Sequence, residues 1–356
     1  MTAHVIAHID MDCFFAACEI KKDPSLKGKK LIVGGRKESR RGVVCTASYE
    51  ARKDGVRSAM PISKALTLCP DAICIPTDHA FYAKESKKIM EVFQNITSSF
   101  QQVSIDEAYL DITEFVKIFD TWDRAGKYIQ TLLQKKTGYS CSIGISESRK
   151  VSKIASDYKK PAGITVVTNP KEFLAPLPIT KIPGVGKKTV TQYYALNIKT
   201  ISDFANKSKF TILDHFGIHG YKLWELANGN DFSGIEYRAD KKSISKENTF
   251  EYDITDKKII ATHLKKVIKN IYPSTQKYFY KTVSIKVRYK DFKTITRSHS
   301  FSVSTNTYDA IVSACEQLIE DIDYEKGIRL FGVRVENLSQ ITQKQATLQE
   351  FRVASC

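Results

Sequence analysis

The chain has 356 residues and enough apolar content to fill two to four folded domains. Its 55 Lys and Arg against 39 Asp and Glu give a net charge of +16, which favours a polyanionic partner, although a lysine-rich surface can also simply aid solubility. The eight cysteines form no Cys-x-x-Cys pair, no apolar run reaches about 18 residues, and the N-terminus lacks a signal-peptide layout. We therefore expect a cytoplasmic protein without a membrane partner.

Strands and helices alternate in the first part of the chain. HVIAHID (4–10) is short, apolar and ends on an acid, which predicts a buried strand whose end faces a cleft. A helix up to about Pro24, two strands in KKLIVGG and GVVCTASYEARKDGV, and a helix in MPISKALTLCP follow. AFYAKESKKIMEVFQNITSSF predicts an amphipathic helix. Beyond VSIDEAYLDI (103–112) we expect a helix at 120–137 and a strand in YSCSIGIS.

Two adjacent acids, Asp106 and Glu107, interrupt a strand-like segment. Neighbouring side chains of a straight strand point to opposite faces, so both acids can serve one site only if the chain turns there. Folded together with Asp10, they would form a three-carboxylate cleft of the kind that holds Mg²⁺. Exposed acids in turns are also common, and the spacing alone leaves that alternative open.

A mostly helical stretch begins with ITKIPGVGKKTVTQYYALNI (179–198). The IPGVG sequence predicts a helix-hairpin-helix turn in which Gly184 and Gly186 expose N–H groups to a DNA phosphate beside Lys187; an ordinary tight turn is the alternative. His215 and His219 are spaced like metal ligands on a helix but have no third partner, which favours a packing or surface role.

The last third of the chain is the most basic. Residues 238–300 contain 16 Lys and Arg against 6 Asp and Glu, a net +10. The predicted elements from 249 to 337 follow the β-α-β-β-α-β order of a ferredoxin-like split unit. Alternation in TVSIKVRYK separates an apolar face from a cationic face that can meet phosphate, formed by Lys286, Arg288 and Lys290.

Five motifs together resemble the Y-family DNA polymerases, the lesion-bypass group that includes polymerase IV: IDMDCFF, YEAR, SIDEAYLD, SIGIS and KKPAG. The resemblance covers nearly the whole chain. It implies an α+β, multidomain right hand with a ferredoxin-like palm, small fingers, a helix-hairpin-helix thumb and a little finger. The implied boundaries are palm 1–18 and 77–165, fingers 19–76, thumb 166–233, basic linker 234–246, little finger 247–340 and a flexible tail 341–356.

The resemblance also implies the metal site. Asp10, the Met11 carbonyl and Asp106 would be metal ligands, and Glu107 would be a ligand and the residue usually assigned to catalysis. Asp12 lies at an acidic family position that is not a principal ligand, so we leave it out of the set. Two Mg²⁺ ions are expected, for which Mn²⁺ can substitute.

The incoming nucleotide would meet four further residues. Tyr49, Arg52 and Lys160 match residues that contact the triphosphate, and Phe15 matches the bulky gate that excludes a 2′-hydroxyl. The alternatives are solvated surface charges for the two basic residues and core packing for Phe15.

These expectations describe a monomeric, low-fidelity DNA polymerase in translesion synthesis, without proofreading, whose partners are primer-template DNA and dNTP. A palm-type nucleotide cyclase is one alternative, but it needs neither the hairpin nor the basic domain. A non-catalytic DNA-binding scaffold is another, but it would lack one of the three acids, and all are present.

The tail sequence QATLQEF (345–351) matches peptides that dock on sliding clamps. Leu348 and Phe351 lie one helical turn apart and would fill an apolar pocket beside Gln345. An unbound, disordered end is the alternative.

Overall fold

The computed structural model describes residues 4–236 and 240–341. The described residues pack as two compact units, the first formed by residues 4–38 and 42–236 and the second by residues 39–41 and 240–341. The clamp-binding prediction for Gln345, Leu348 and Phe351 lies outside the described residues.

The first unit alternates strands and helices, as the sequence predicts. Its first half contains β1 (Ile6–Met11), α1 (Phe14–Lys22), β2 (Leu31–Gly34), β3 (Val44–Ala47), α2 (Tyr49–Lys53), α3 (Ile62–Leu68), β4 (Ile73–Pro76) and α4 (His79–Gln94). Its second half contains β5 (Phe100–Gln102), β6 (Glu107–Asp111), α5 (Trp122–Thr137), β7 (Cys141–Ser146), α6 (Arg149–Ser156) and β8 (Ile164–Val167), followed by α7 (Pro170–Leu174), α8 (Lys187–Ala195), α9 (Ile201–Ala205) and α10 (Lys209–Ala227).

A five-stranded sheet in the order β5-β6-β1-β7-β8 forms the centre of this unit. β1 lies antiparallel to both β6 and β7, and its apolar side chains are buried because the sheet is covered on both faces. Ala7 and Ile9 share one core with residues of α4 and α5, such as Ile89 and Ile129. This arrangement is the predicted palm.

α6 crosses the other face of the sheet directly over Gly144. A Cβ on this residue would lie 2.0 Å from the Ser152 carbonyl oxygen and 2.4 Å from the Ser156 nitrogen, so only glycine fits there. The close approach fixes the height and position of α6 above β1 and β7.

The remaining parts of the first unit are smaller. β2 pairs with β3 and β4 in a three-stranded sheet with its own core, which includes Ile32, Val44 and Ile62. The strand β4 is absent from the sequence prediction because its side chains are only partly buried and show no clear alternation. Helices α7 to α10 form the predicted helical thumb.

The second unit contains β9 (Ser243–Ile254), α11 (Lys257–Thr275), β10 (Tyr278–Tyr289), β11 (Thr294–Thr305), α12 (Tyr308–Leu318), β12 (Ile328–Glu336) and β13 (Ser339–Gln340). The predicted element order is confirmed, but β9 begins inside the segment expected as a linker. The sheet order β11-β10-β12-β9 places the first strand at an edge, whereas a ferredoxin-like sheet has it in the interior. In both sheet orders, the two strands that each helix connects are separated by one other strand. The order of elements along the chain therefore cannot distinguish the two sheets.

None of the helices in the described segments combines the length and the apolar character needed to cross a bilayer. The seven described cysteines are free thiols, and Cys45 is exposed at the surface of β3, whereas the apolar sequence around it suggests burial.

Candidate active site

The three predicted acids come together where β1 ends beside the start of β6. Asp10 lies opposite Glu107 in the antiparallel register, and the Met11 amide donates to the Asp106 carbonyl at 3.0 Å. The chain bends before Glu107, because the Ser104 hydroxyl accepts hydrogen bonds from the amides of both acids. The expected turn is therefore present, and it brings the backbone of both acids to the end of β1.

A cavity of about 240 Å³ opens at this strand end. Seven of the eight residues predicted for metal and nucleotide binding line it, namely Asp10, Met11, Phe15, Tyr49, Arg52, Asp106 and Lys160. Glu107 is not among the lining residues. The cavity also contacts residues that the sequence did not single out: Cys13, Phe14, Cys45, Thr46, Ser58 and Ile105.

Asp10 is a partly buried carboxylate held by a lysine. The Lys160 ammonium lies 2.6 Å from Asp10 Oδ1 and 2.7 Å from Asp157 Oδ1. Burial raises the pKa of Asp10 above its ordinary value, and nearby Asp106 acts in the same direction, while Lys160 opposes both. The surroundings therefore disfavour the charged form of Asp10, and Lys160 offsets part of that effect.

Glu107 is held on the α6 side of the sheet. Its Oε2 accepts from His8 Nε2 at 3.2 Å and from the Lys153 ammonium at 2.5 Å. The hydrogen bond from His8 is the largest cause lowering the pKa of Glu107 to about 2, and Lys153 adds to it. Burial lowers the pKa of His8, whose Nδ1 lies 2.7 Å from Ser156 Oγ, and that hydroxyl donates to the Lys153 carbonyl at 2.9 Å.

Asp12 organises one wall of the cavity. It is 5% exposed and accepts from the Tyr49 hydroxyl at 3.2 Å, the Ser142 hydroxyl at 2.8 Å and the Ala162 amide at 2.9 Å. These bonds join the start of α2, the strand β7 and the loop that carries Lys160. The acid that the family leaves out of the metal set therefore positions two predicted nucleotide-binding residues.

Phe15 faces the cavity on one side and packs on the other. Its ring stacks on Tyr82 with centroids 4.3 Å apart and an interplanar angle of 20°. Tyr82 is fully buried and donates to Glu19 Oε1 at 2.6 Å. Phe15 thus has a rigid support, which agrees with packing for one side of its ring, and the gate role stays a prediction.

Arg52 is oriented by the end of β3 and by Tyr49 of its own helix, α2. Its Nε donates to the Ala47 carbonyl at 3.0 Å, and its guanidinium carbon lies 5.4 Å from the centre of the Tyr49 ring. The guanidinium is therefore held at its Nε and lines the cavity beside Tyr49.

The thumb hairpin has the geometry that the glycines predict. Gly184 adopts φ 96°, a left-handed conformation, and Gly186 is the N-cap of α8, with no side-chain cap hydrogen bond. Lys187 is exposed in the first turn of α8. His219 packs near Gly184, since a Cβ on that glycine would lie 3.6 Å from His219 Nε2, which agrees with a packing role.

The predicted cationic face of β10 is only partly free. Lys286 pairs with Glu247 at 2.7 Å, and Arg288 Nε donates to the Thr294 hydroxyl at 2.9 Å. Lys290 is exposed just beyond the strand. The opposite face is core, as expected, because Val283, Ile285, Val287 and Tyr289 are buried.

Among the described residues, one group of three metal-type ligands lies close together: Asp54, Cys69 and Asp71. The Lys30 ammonium lies 3.0 Å from Asp54 and 2.9 Å from Asp71, so these acids already have a cation. The group is an ion-pair network at the edge of the fingers.

Sequence reasoning missed His8, Lys153 and the structural role of Asp12. The signal for His8 was present, because it shares a strand face with Asp10 two residues later. No sequence signal could identify Lys153, because its contact with Glu107 spans 46 positions and depends on how α6 packs.

Three family models match most of the chain. Residues 9–157 match the impB/mucB/samB family, 241–348 match its C-terminal domain, and 170–198 match the HHH motif of the IMS family. DNA polymerase IV 2 of Methanosarcina mazei is 37% identical over 98% of this chain and 96% of its own, and DNA polymerase IV of Listeria innocua is 40% identical over 96% and 97%.

The chain belongs to the Y-family of DNA polymerases. A solved Y-family polymerase chimera of Dbh and Dpo4 is similar at a TM-score of 0.84 and 28% identity, covering 94% of this chain and 99% of that chain. DinB from Sulfolobus solfataricus is similar at a TM-score of 0.62 and 27% identity, over 93% and 98%. This Y-family polymerase is therefore a DNA-directed DNA polymerase of translesion synthesis, from a family that uses divalent metal ions.

Asp12→Asn should lower the stability of this Y-family polymerase by about 2 kcal/mol, because a buried charge-assisted network loses its acceptor strength. It should also raise KM for dNTP more than it lowers kcat, since Tyr49 and the Lys160 loop lose their anchor. Chemical denaturation and steady-state kinetics measure the two effects. Asp123→Asn in the first turn of α5 is the control, and equal behaviour of both variants would contradict the positioning role.

Proposed function

We propose that this enzyme performs two-metal nucleotidyl transfer, in which the primer 3′-hydroxyl attacks the α-phosphate of a dNTP and pyrophosphate leaves. Asp10, the Met11 carbonyl, Asp106 and Glu107 would hold the ions, which are Mg²⁺ with Mn²⁺ as a substitute. The observation that carries the proposal is the single cavity lined by Asp10, Met11 and Asp106 together with the predicted nucleotide-binding residues.

The donor set fits a hard divalent cation. Carboxylate and carbonyl oxygens are the ligands that Mg²⁺ prefers, with substrate phosphates completing the shell. Asp10 and Glu107 each carry a lysine ammonium, at 2.6 Å and 2.5 Å, so both carboxylates already bind positive charge. When bound, the two ions would activate the attacking hydroxyl and neutralise the leaving pyrophosphate.

The cationic side chains of the cavity would bind the triphosphate. Arg52 presents a planar guanidinium that suits bidentate contact with phosphate, and the Tyr49 hydroxyl lies beside it. Lys160 would exchange its contact with Asp10 for a phosphate oxygen. These residues act by positioning and charge neutralisation, which are the main sources of rate in phosphoryl transfer.

We infer low-fidelity synthesis without proofreading. The three family regions at 9–157, 170–198 and 241–348 leave only short gaps between them, too short for an exonuclease domain. Residues 9–348 would then contain no exonuclease site that could remove a mispaired nucleotide from the primer end.

The thumb and the second unit would hold primer-template DNA. Gly184, Gly186 and Lys187 form a turn and helix start suited to a backbone phosphate, and Lys286, Arg288 and Lys290 present cations along β10. These contacts would recognise the charge and shape of the DNA backbone and would not distinguish one base sequence from another. We further propose a monomer that reaches a sliding clamp through Gln345, Leu348 and Phe351, since a loosely held polymerase gains from tethering.

Asp106→Ala should reduce primer extension at least about 1,000-fold, the scale seen when a catalytic group is removed. Duplex affinity and melting temperature should stay near the parental values, because the acids repel one another without metal. Extension on a primed template with Mg²⁺ measures the effect, and chelation of Mg²⁺ should abolish parental extension. Glu114→Ala is the control, since its side chain is 82% exposed. Robust extension by Asp106→Ala would rule out the assignment.

Phe15→Ala should raise the ratio of ribonucleotide to deoxyribonucleotide incorporation by roughly 100-fold, because removing the ring makes room for the 2′-hydroxyl. Competitive single-nucleotide insertion measures this ratio. Both nucleotides compete for the same folded enzyme, so a change in the stability of the variant does not alter the ratio. Phe15→Tyr keeps the ring and should keep the parental ratio. If Phe15→Ala discriminates like the parent, the ring is only a packing residue.

Replacing Lys286, Arg288 and Lys290 with Ala should weaken DNA binding about equally for all sequences. Each lost phosphate contact should flatten the slope of log affinity against log salt by roughly 0.9. Lys286 should contribute less than the others, because it must first leave Glu247. The matched control replaces Lys265, Lys266 and Lys269 on α11, which packs on the other face of the sheet. An unchanged slope in the β10 variant would place the DNA surface elsewhere.

A further inference from the structure

Lys153 contacts the active site without belonging to any predicted set. Its ammonium lies 2.5 Å from Glu107 Oε2, and the two side chains are only 31% and 17% exposed. Lys160, by contrast, is a predicted triphosphate ligand that rests on Asp10. Two of the three acids in the proposed metal site therefore each have an internal counter-cation, and only one of these cations has an assigned substrate role.

The position of Lys153 is fixed by backbone packing. α6 lies against Gly144 with no space for a side chain between them, and its last residue, Ser156, is 2.7 Å from His8 Nδ1. His8 in turn donates to the same Glu107 oxygen that Lys153 contacts. The helix therefore places Lys153 where its ammonium reaches Glu107.

Two cations cannot share one carboxylate oxygen at close range without strong repulsion. A lysine ammonium 2.5 Å from Oε2 occupies the region where a divalent ion bound to that oxygen would lie. His8 Nε2 is more distant from the same oxygen, at 3.2 Å, and its ring is held by the buried strand β1, whereas the lysine side chain is long and flexible. Lys153 is thus the group that has to give way.

We propose that Lys153 is a built-in competitor for the divalent metal at Glu107, and that metal loading displaces its ammonium from the carboxylate. Lys153 thereby sets how much metal the enzyme needs before Glu107 becomes a ligand. The inference depends on the proposed function, because it takes Asp10, Asp106 and Glu107 as metal ligands. Lys153 acts through Glu107 and is a positioning residue.

The test is a titration of the full chain with Mn²⁺ in the absence of DNA. The electron paramagnetic resonance signal of free Mn²⁺ reports how much of the ion remains unbound. Lys153→Met and Lys153→Gln should each bind Mn²⁺ roughly tenfold more tightly than the parent, a factor typical of coupled sites. Lys153→Arg keeps the charge and should keep the parental affinity. Lys150→Met is the matched control, because Lys150 lies on the same helix and pairs with Asp231 at 2.8 Å.

Unchanged or weaker Mn²⁺ affinity in Lys153→Met and Lys153→Gln would overturn the proposal. Melting temperatures identify a variant that has not folded, and the other uncharged variant then gives the same comparison. The Asp106→Ala variant separates failure of the metal assignment from failure of the Lys153 competition. If the parent and Asp106→Ala bind Mn²⁺ equally, the metal assignment has failed; if binding needs Asp106 but ignores Lys153, only the competition is wrong.

Discussion

The antiparallel pairing of β1 with β6 is the constraint on which the active site depends. It places Asp10 directly across from Glu107, and the bend at Ser104 brings Asp106 to the same strand end. A shift of one residue in this register would move Asp10 to the opposite face of the sheet. The register is fixed because Ala7 and Ile9 are buried in one core while His8 and Asp10 face α6 and the cavity.

Concentrating acids at one strand end has an electrostatic cost that the surrounding structure offsets. Burial disfavours charged carboxylates, and their mutual repulsion adds to that cost. Lys160 and Lys153 compensate Asp10 and Glu107, and the Ser104 hydroxyl donates to Asp106 at 2.5 Å. These lysine contacts can also be replaced. A divalent cation can take the place of a lysine on a carboxylate, and the released lysine can bind a phosphate.

The supporting residues deserve equal weight with those that contact substrate. Asp12 joins Tyr49 to the loop of Lys160, and Tyr82 supports the ring of Phe15 through a contact fixed by Glu19. Such bonds hold the predicted nucleotide-binding side chains in place before any substrate arrives, and pre-positioning of this kind is a large source of rate in phosphoryl transfer.

The sequence by itself determined the element order of the second unit, the alternation of strands and helices in the first, the acids at the end of β1 and the start of β6, and the hairpin turn, because each depends on local periodicity or on a short motif. The triphosphate contacts, which rest on the family resemblance, stay a prediction. Only the tertiary structure decided that Glu107 faces Lys153 and His8, that Asp12 is an anchor, and that the second unit has its first strand at a sheet edge. The reason is distance along the chain: Lys153 is 46 residues from Glu107 and Ala162 is 150 from Asp12. Such contacts arise from packing, such as the approach of α6 to Gly144, which no local pattern encodes.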